Sequence, residues 1–199
     1  MRGGLSVALR TRVRLVLFVL ATLTACTPRV SVGYDASARL RGPLANLNGI
    51  ARLTAVTGLP VRPPPEGKTF SLGIGGGTRW LTVGGRVFVN NISGDTLDTY
   101  KGPQFMSAGG ALDVRGALTV FRGLSVTGQL APTRTILVDT ARGNSSWGNG
   151  LRYSAGLSYA LYVIHLYADV FQEQLWFGEG PAMGNSTRTG LTVGLAFQP

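Results

Sequence analysis

Residues 151–161 read Leu-Arg-Tyr-Ser-Ala-Gly-Leu-Ser-Tyr-Ala-Leu. Leu151, Tyr153, Ala155, Leu157, Tyr159 and Leu161 share one parity, and Arg152, Ser154, Gly156 and Ser158 stand between them. Successive side chains of a strand point to opposite faces, so this alternation predicts a strand with one apolar and one polar face.

Working outward, the same period recurs along most of the chain. Towards the C-terminus it predicts strands over about 165–177, with Leu166, Ala168 and Val170 opposite Tyr167, Asp169, Phe171 and Glu173, and over 190–197, with Leu191, Val193, Leu195 and Phe197 on one face. Towards the N-terminus it predicts strands over about 124–138, 105–120, 79–90, 68–75 and 30–40. Pro132 is expected to bend or bulge the 124–138 strand. In the first strand Val30, Val32, Tyr34, Ala36, Ala38 and Leu40 form the apolar parity, and Ser31, Gly33, Asp35, Ser37 and Arg39 the other.

The links between these eight strands alternate in length. Short turns are expected near Gly75–Gly77, Phe121–Gly123 and Tyr162–Ile164, and long links at about 41–67, 91–104, 139–149 and 178–186. Transmembrane β-barrels show this asymmetry, with short turns on one side and long loops on the other. Side-chain type separates them from a soluble, lipocalin-like barrel, which would wet its outside with Lys and Glu. Beyond residue 25 the only lysines are Lys68 and Lys101, and the polar parities are largely Ser, Thr, Gly and Ala. Small side chains suit the crowded interior of an eight-stranded barrel. The reading is therefore all-β, an eight-stranded antiparallel up-and-down transmembrane β-barrel over 30–199. One interruption is expected in the first long link, where Pro43, then Leu44, Leu47, Ile50, Ala51, Leu53 and Val56, then Gly58 and Pro60 predict a short helix of about four turns within 41–67, capping the barrel mouth.

The N-terminus has a different character. Arg2, Arg10, Arg12 and Arg14 precede an apolar run from Leu15 to Leu23, the order of a secretory signal, and the run is too short to span a bilayer as a helix. It ends in Leu23-Thr24-Ala25-Cys26, which resembles the lipobox of bacterial lipoproteins. The resemblance implies a cleaved signal peptide over 1–25, a lipidated N-terminus over 26–29 with the acyl chains on Cys26, and, with Thr27 rather than aspartate next, the outer membrane of a Gram-negative cell envelope. The stretch Leu191–Phe197 resembles the terminal strand of outer-membrane barrels, although Gln198 and Pro199 follow the aromatic. Cys26 is the sole cysteine, so no disulfide forms within the chain.

Charge narrows the function classes. Four of the 19 Lys and Arg lie in the leader and none of the 9 acids does, which leaves 15 cations against 9 anions and a mature charge of +6. These cations are scattered through an exported chain, so anionic lipid headgroups are the expected counterparts and nucleic acid is not. Asp35, Arg39, Arg86, Asp113, Arg115, Arg152, Asp169, Glu173 and Arg188 share the inward parity and are expected to form a lumen ion network. His165, the sole histidine, sits on the same face as Asp169 and Glu173, which makes these three weak candidates for general acid–base catalysis. The deacylase pattern of some outer-membrane barrels places serine two residues after the histidine, and Tyr167 stands there instead. One histidine and no spare cysteine leave no set of zinc ligands, and no metal or cofactor is expected.

The expected function is a non-enzymatic outer-membrane barrel lipoprotein. Its external loops, carrying Arg41, Arg52, Arg62, Lys101 and Arg142, would meet outer-membrane lipids, lipopolysaccharide or another envelope protein. The alternatives are a lipid-modifying outer-membrane enzyme and a lipid-tethered periplasmic carrier.

Overall fold

A computed structural model describes residues 27–46, 68–92, 105–139, 143–180 and 182–199. Eight antiparallel strands close into a barrel in which each pairs with its chain neighbours and β1 pairs with β8. They are β1 (Thr27–Arg41), β2 (Lys68–Gly77), β3 (Leu81–Ile92), β4 (Phe105–Phe121), β5 (Leu124–Asp139), β6 (Ser145–Leu161), β7 (Ile164–Phe177) and β8 (Gly184–Phe197). Closure gives every strand a neighbour on both sides.

The two faces are inverted relative to a water-soluble barrel. Ile74, Val170 and Phe70 are 71%, 66% and 64% exposed on the outside, whereas Asp35, Arg152 and Arg188 are 3%, 4% and 2% exposed within. On β6 the outward apolar residues run from Leu151 to Leu161. At a rise of about 3.3 Å per residue and a tilt of about 45° this run stands ~25 Å tall, the height of a hydrocarbon belt. Exposed aromatics flank the belt: Trp80, Phe121, Tyr162 and Phe197 at the short-turn end, Trp147 and Trp176 at the other.

Several local expectations are corrected. The first short turn is Thr78–Trp80 rather than Gly75–Gly77, because the glycines continue the ladder with β1 and β3. A Cβ on Gly75 would lie 2.7 Å from the Val83 carbonyl, so the close approach of two backbones explains the glycine. Ser145–Asn149 belongs to β6, paired with Arg134–Val138, which shortens the third long link. Pro132 lies within β5 without a register shift; the pairs to β4 are simply missing beside it, between Ala111↔Thr133 and Val114↔Leu130.

The bulges fall elsewhere, one between Thr119 and Phe121 and one between Asp35 and Ser37. The second bulge inserts Ala36 opposite β8, so the parity of β1 reverses beyond it. Ala38 and Leu40 are buried, and Arg39, expected in the lumen, is exposed on the outer wall. The four-turn helix expected in the first long link is not supported. The described residues hold a single turn, Pro43–Asn46, and the rest of that segment, 47–67, lies outside them.

Candidate functional site

Inward residues fill the barrel in layers. At the long-loop end Leu40, Leu44, Phe105, Leu137, Leu175, Phe177 and Ala182 form a buried apolar plug. Leu44 comes from the Pro43–Asn46 turn, whose Leu44 N–H donates to Ser186 Oγ at 3.0 Å and ties the turn to β8.

Beneath the plug lies an ion network. Asp35 of β1 accepts from Arg152 of β6, with Nη1–Oδ2 at 3.3 Å and Nη2–Oδ1 at 3.1 Å, and from Arg188 of β8. Arg188 Nη1 also meets Glu173 Oε2 at 3.3 Å. Register places Glu173 opposite both Arg152 and Arg188, yet Arg152 crosses the lumen to Asp35 instead. Hydroxyls complete the shell. Thr192 Oγ1 donates to Asp35 Oδ1 at 2.7 Å, Thr133 Oγ1 donates to Glu173 Oε1 at 3.4 Å, and Thr69 accepts from Arg188. The Phe171 ring meets two guanidiniums, with Arg152 3.7 Å and Arg188 5.2 Å from its centroid, both within cation–π range.

A second layer lies nearer the short turns. Arg115 Nη1 stands 3.0 Å from Asp169 Oδ2, and its Nη2 donates to Asp169 Oδ1 and Thr127 Oγ1 at 3.2 and 3.0 Å. Thr127 in turn donates to Asp169 at 2.9 Å. Arg86 presents Nε to both oxygens of Asp113, at 3.0 and 3.3 Å. Pairing with added hydrogen bonds is what lets such charges tolerate burial, and within this network Arg86 Nη2 and Arg188 Nε are buried without a partner among the described residues.

The structure therefore brings Asp35, Arg152, Glu173 and Arg188 into one cluster, places Arg115–Asp169 and Arg86–Asp113 beside it, and leaves Arg39 outside. His165 stands apart. It faces inward near the Tyr162–Val163 turn, and no hydrogen bond or ion pair joins it to Asp169 or Glu173, whose oxygens are held by Arg115, Thr127, Arg188 and Thr133. Among the described residues no cluster of His, Cys, Asp and Glu could hold a metal ion. Cys26, the expected lipid attachment, and the loop cations Arg52, Arg62, Lys101 and Arg142 lie outside the described residues.

Sequence reasoning missed the threonines and Phe171, although register signals them: Thr192 lies opposite both Asp35 and Asp169. It also missed Arg29, which shares the inward parity of Ser31 and Asp35 and lines a cavity of ≈ 60 Å³ at the short-turn mouth. A second void of ≈ 10 Å³ lies under the plug.

No protein-family model and no curated protein matches the chain. Among solved structures it is similar to neisserial surface protein A, NspA, at 13% identity and a TM-score of 0.56, covering 87% of this chain and 99% of that one. Two further similar structures are the attachment invasion locus protein Ail of Yersinia pestis (12% identity, TM-score 0.46, 87% and 99% covered) and the N-terminal β-barrel domain of Pseudomonas aeruginosa OprF (11%, 0.46, 86% and 98%). At this identity the likeness to NspA establishes the fold, a closed eight-stranded antiparallel barrel of the outer-membrane kind.

Proposed function

We propose that this protein is a non-enzymatic outer-membrane barrel lipoprotein, anchored in the bilayer by its strands and again by acyl chains on Cys26, and acting through its long-loop end. The observation that carries the reading is the inversion of faces: aliphatics encircle the outside while paired charges and hydroxyls fill the inside. Such a wall is stable where the surroundings are hydrocarbon and every backbone group is paired within the sheet. The filled lumen favours a scaffold over a conducting pore. The commitment of Asp169 and Glu173 to arginine and threonine favours a scaffold over an enzyme.

The outer wall offers a place for contact. Towards the long-loop end of the wall, outward polar residues form a continuous patch across three strands: Arg39–Thr189–Gln172 and Arg41–Thr187–Gln174 in register across β1, β8 and β7. Arg134 of β5 is exposed as well, its guanidinium 5.2 Å from the Trp147 ring. Arginines beside an interfacial aromatic belt suit lipid phosphates, lipopolysaccharide being the candidate in an outer leaflet.

Fractionation of the Cys26→Ala protein tests this reading. A barrel lipoprotein stays with the membrane and runs differently on a gel before and after boiling. Release into the soluble fraction would identify a tethered carrier instead. An altered lipid profile on expression that is lost in His165→Ala would identify an enzyme.

A further inference from the structure

The described lumen charges are unevenly distributed along the barrel. The described lumen holds five inward arginines, Arg29, Arg86, Arg115, Arg152 and Arg188, and five inward carboxylates, Asp35, Asp113, Asp139, Asp169 and Glu173, but Asp139 lies at the long-loop rim, so the rest of the lumen sets five arginines against four carboxylates. Each carboxylate is taken: Asp113 by Arg86, Asp169 by Arg115, Asp35 by Arg152 and Arg188, and Glu173 by Arg188. Arg29 is the cation left over, with no hydrogen bond or ion pair among the described residues. It lines the ≈ 60 Å³ cavity at the short-turn mouth.

A second donor there is also unspent. The Arg86 side chain is only 10% exposed, and because both Asp113 oxygens sit on its Nε, its Nη2 is buried with no partner. An unpaired, buried guanidinium nitrogen is costly, since desolvation of a charged donor is not offset. Ser31, Gln129 and Ser154 line the same cavity and make no side-chain hydrogen bond within the described residues, so they offer further neutral donors. Glycines make the space. A Cβ on Gly73 would lie 2.6 Å from Ser31 Oγ, on the cavity wall.

We propose that this cavity is a binding site for a small oxyanion of the phosphate or sulfate class, held by Arg29 and by Arg86 Nη2 and entered from the short-turn mouth. A volume of ≈ 60 Å³ is several times what one water needs and admits a group of a few heavy atoms. The anion supplies negative charge beside Arg29, and its several acceptor oxygens suit guanidinium donors; Asp113 and Asp169, which also line the cavity, are already held by Arg86 and Arg115. The site stands independently of the lipoprotein reading, because it uses lumen residues alone and neither Cys26 nor the long loops.

The test uses the full mature chain folded in a non-ionic detergent. Inorganic phosphate is titrated against chloride at matched ionic strength, with binding followed by calorimetry and by the 31P linewidth. Saturable binding is expected, competed by sulfate, and weakened at least tenfold in Arg29→Gln. That variant removes an arginine without an ion-pair partner, so it keeps the boiling-dependent gel shift. Arg86→Lys, which retains the charge against Asp113 but loses Nη2, is expected to weaken phosphate binding as well, and Arg122→Gln, in the exposed turn at the same end, to leave it unchanged. Adding phosphatidylglycerol to the micelles separates the two sources of such a group: displacement of phosphate assigns the site to a lipid headgroup, and no displacement to a free oxyanion. Absence of saturable binding above the chloride control, or equal binding by the folded Arg29→Gln protein, would overturn the proposal.

Discussion

Asp35 holds two arginines, Arg188 of the neighbouring β8 and Arg152 of β6, and Thr192 donates to it as well. Removing one partner of a buried ion pair leaves an uncompensated charge in a poor solvent for it, at a cost of about 3–5 kcal/mol. Asp35→Asn, which keeps the shape and removes the charge, is therefore expected to lose stability on that scale, read as a shift in urea unfolding followed by tryptophan fluorescence. Arg39→Gln is expected to leave unfolding unchanged, because Arg39 stands on the outer wall. The contrast between these two residues marks what the sequence carries. Both lie on the same parity of β1, and parity alone puts both inside. What separates them is Ala36, an extra residue opposite β8 whose small side chain fits either face and gives no warning of a bulge. The choice of Asp35 by Arg152 is likewise illegible in sequence, since it depends on how far a guanidinium reaches across the lumen rather than on its neighbour in the ladder.

At the scale of the strand, period two is a direct map from position to face, which is why Leu151–Leu161 announces its two sides so plainly. The same map predicts the response to a misplaced charge. Leu157 stands near the middle of the outward run on β6, and Leu157→Arg is expected to cost about 2–4 kcal/mol in unfolding from lipid vesicles. Asn149→Arg, on the same face beyond the belt, should cost about 0–1 kcal/mol. The bulge gives a sharper prediction. Deleting Ala36 restores regular pairing between β1 and β8 without changing which residues face inward, so the deletion protein should still show the boiling-dependent gel shift. Deleting Leu157 instead inverts part of β6 and should abolish the shift. Strand ends were less legible than strand cores. Gly75–Gly77 reads as a turn by composition but serves close backbone approach, and Ser145–Asn149 reads as loop but continues the ladder.

For the whole molecule, closure ties these observations together. Eight strands with alternating short and long links form a single sheet joined to itself, and the interior carboxylates are met by pairs between strands, some distant in sequence, such as Asp35 with Arg152. The apolar outside then has no partner among the described residues, and this is the claim on which the proposed membrane setting rests. The most direct measurement is nuclear Overhauser transfer in lipid nanodiscs, from acyl-chain methylene protons and from water to the methyl groups of Leu118, Leu157 and Val170. The account predicts strong transfer from acyl chains and none from water at all three. Transfer from water alone would contradict it.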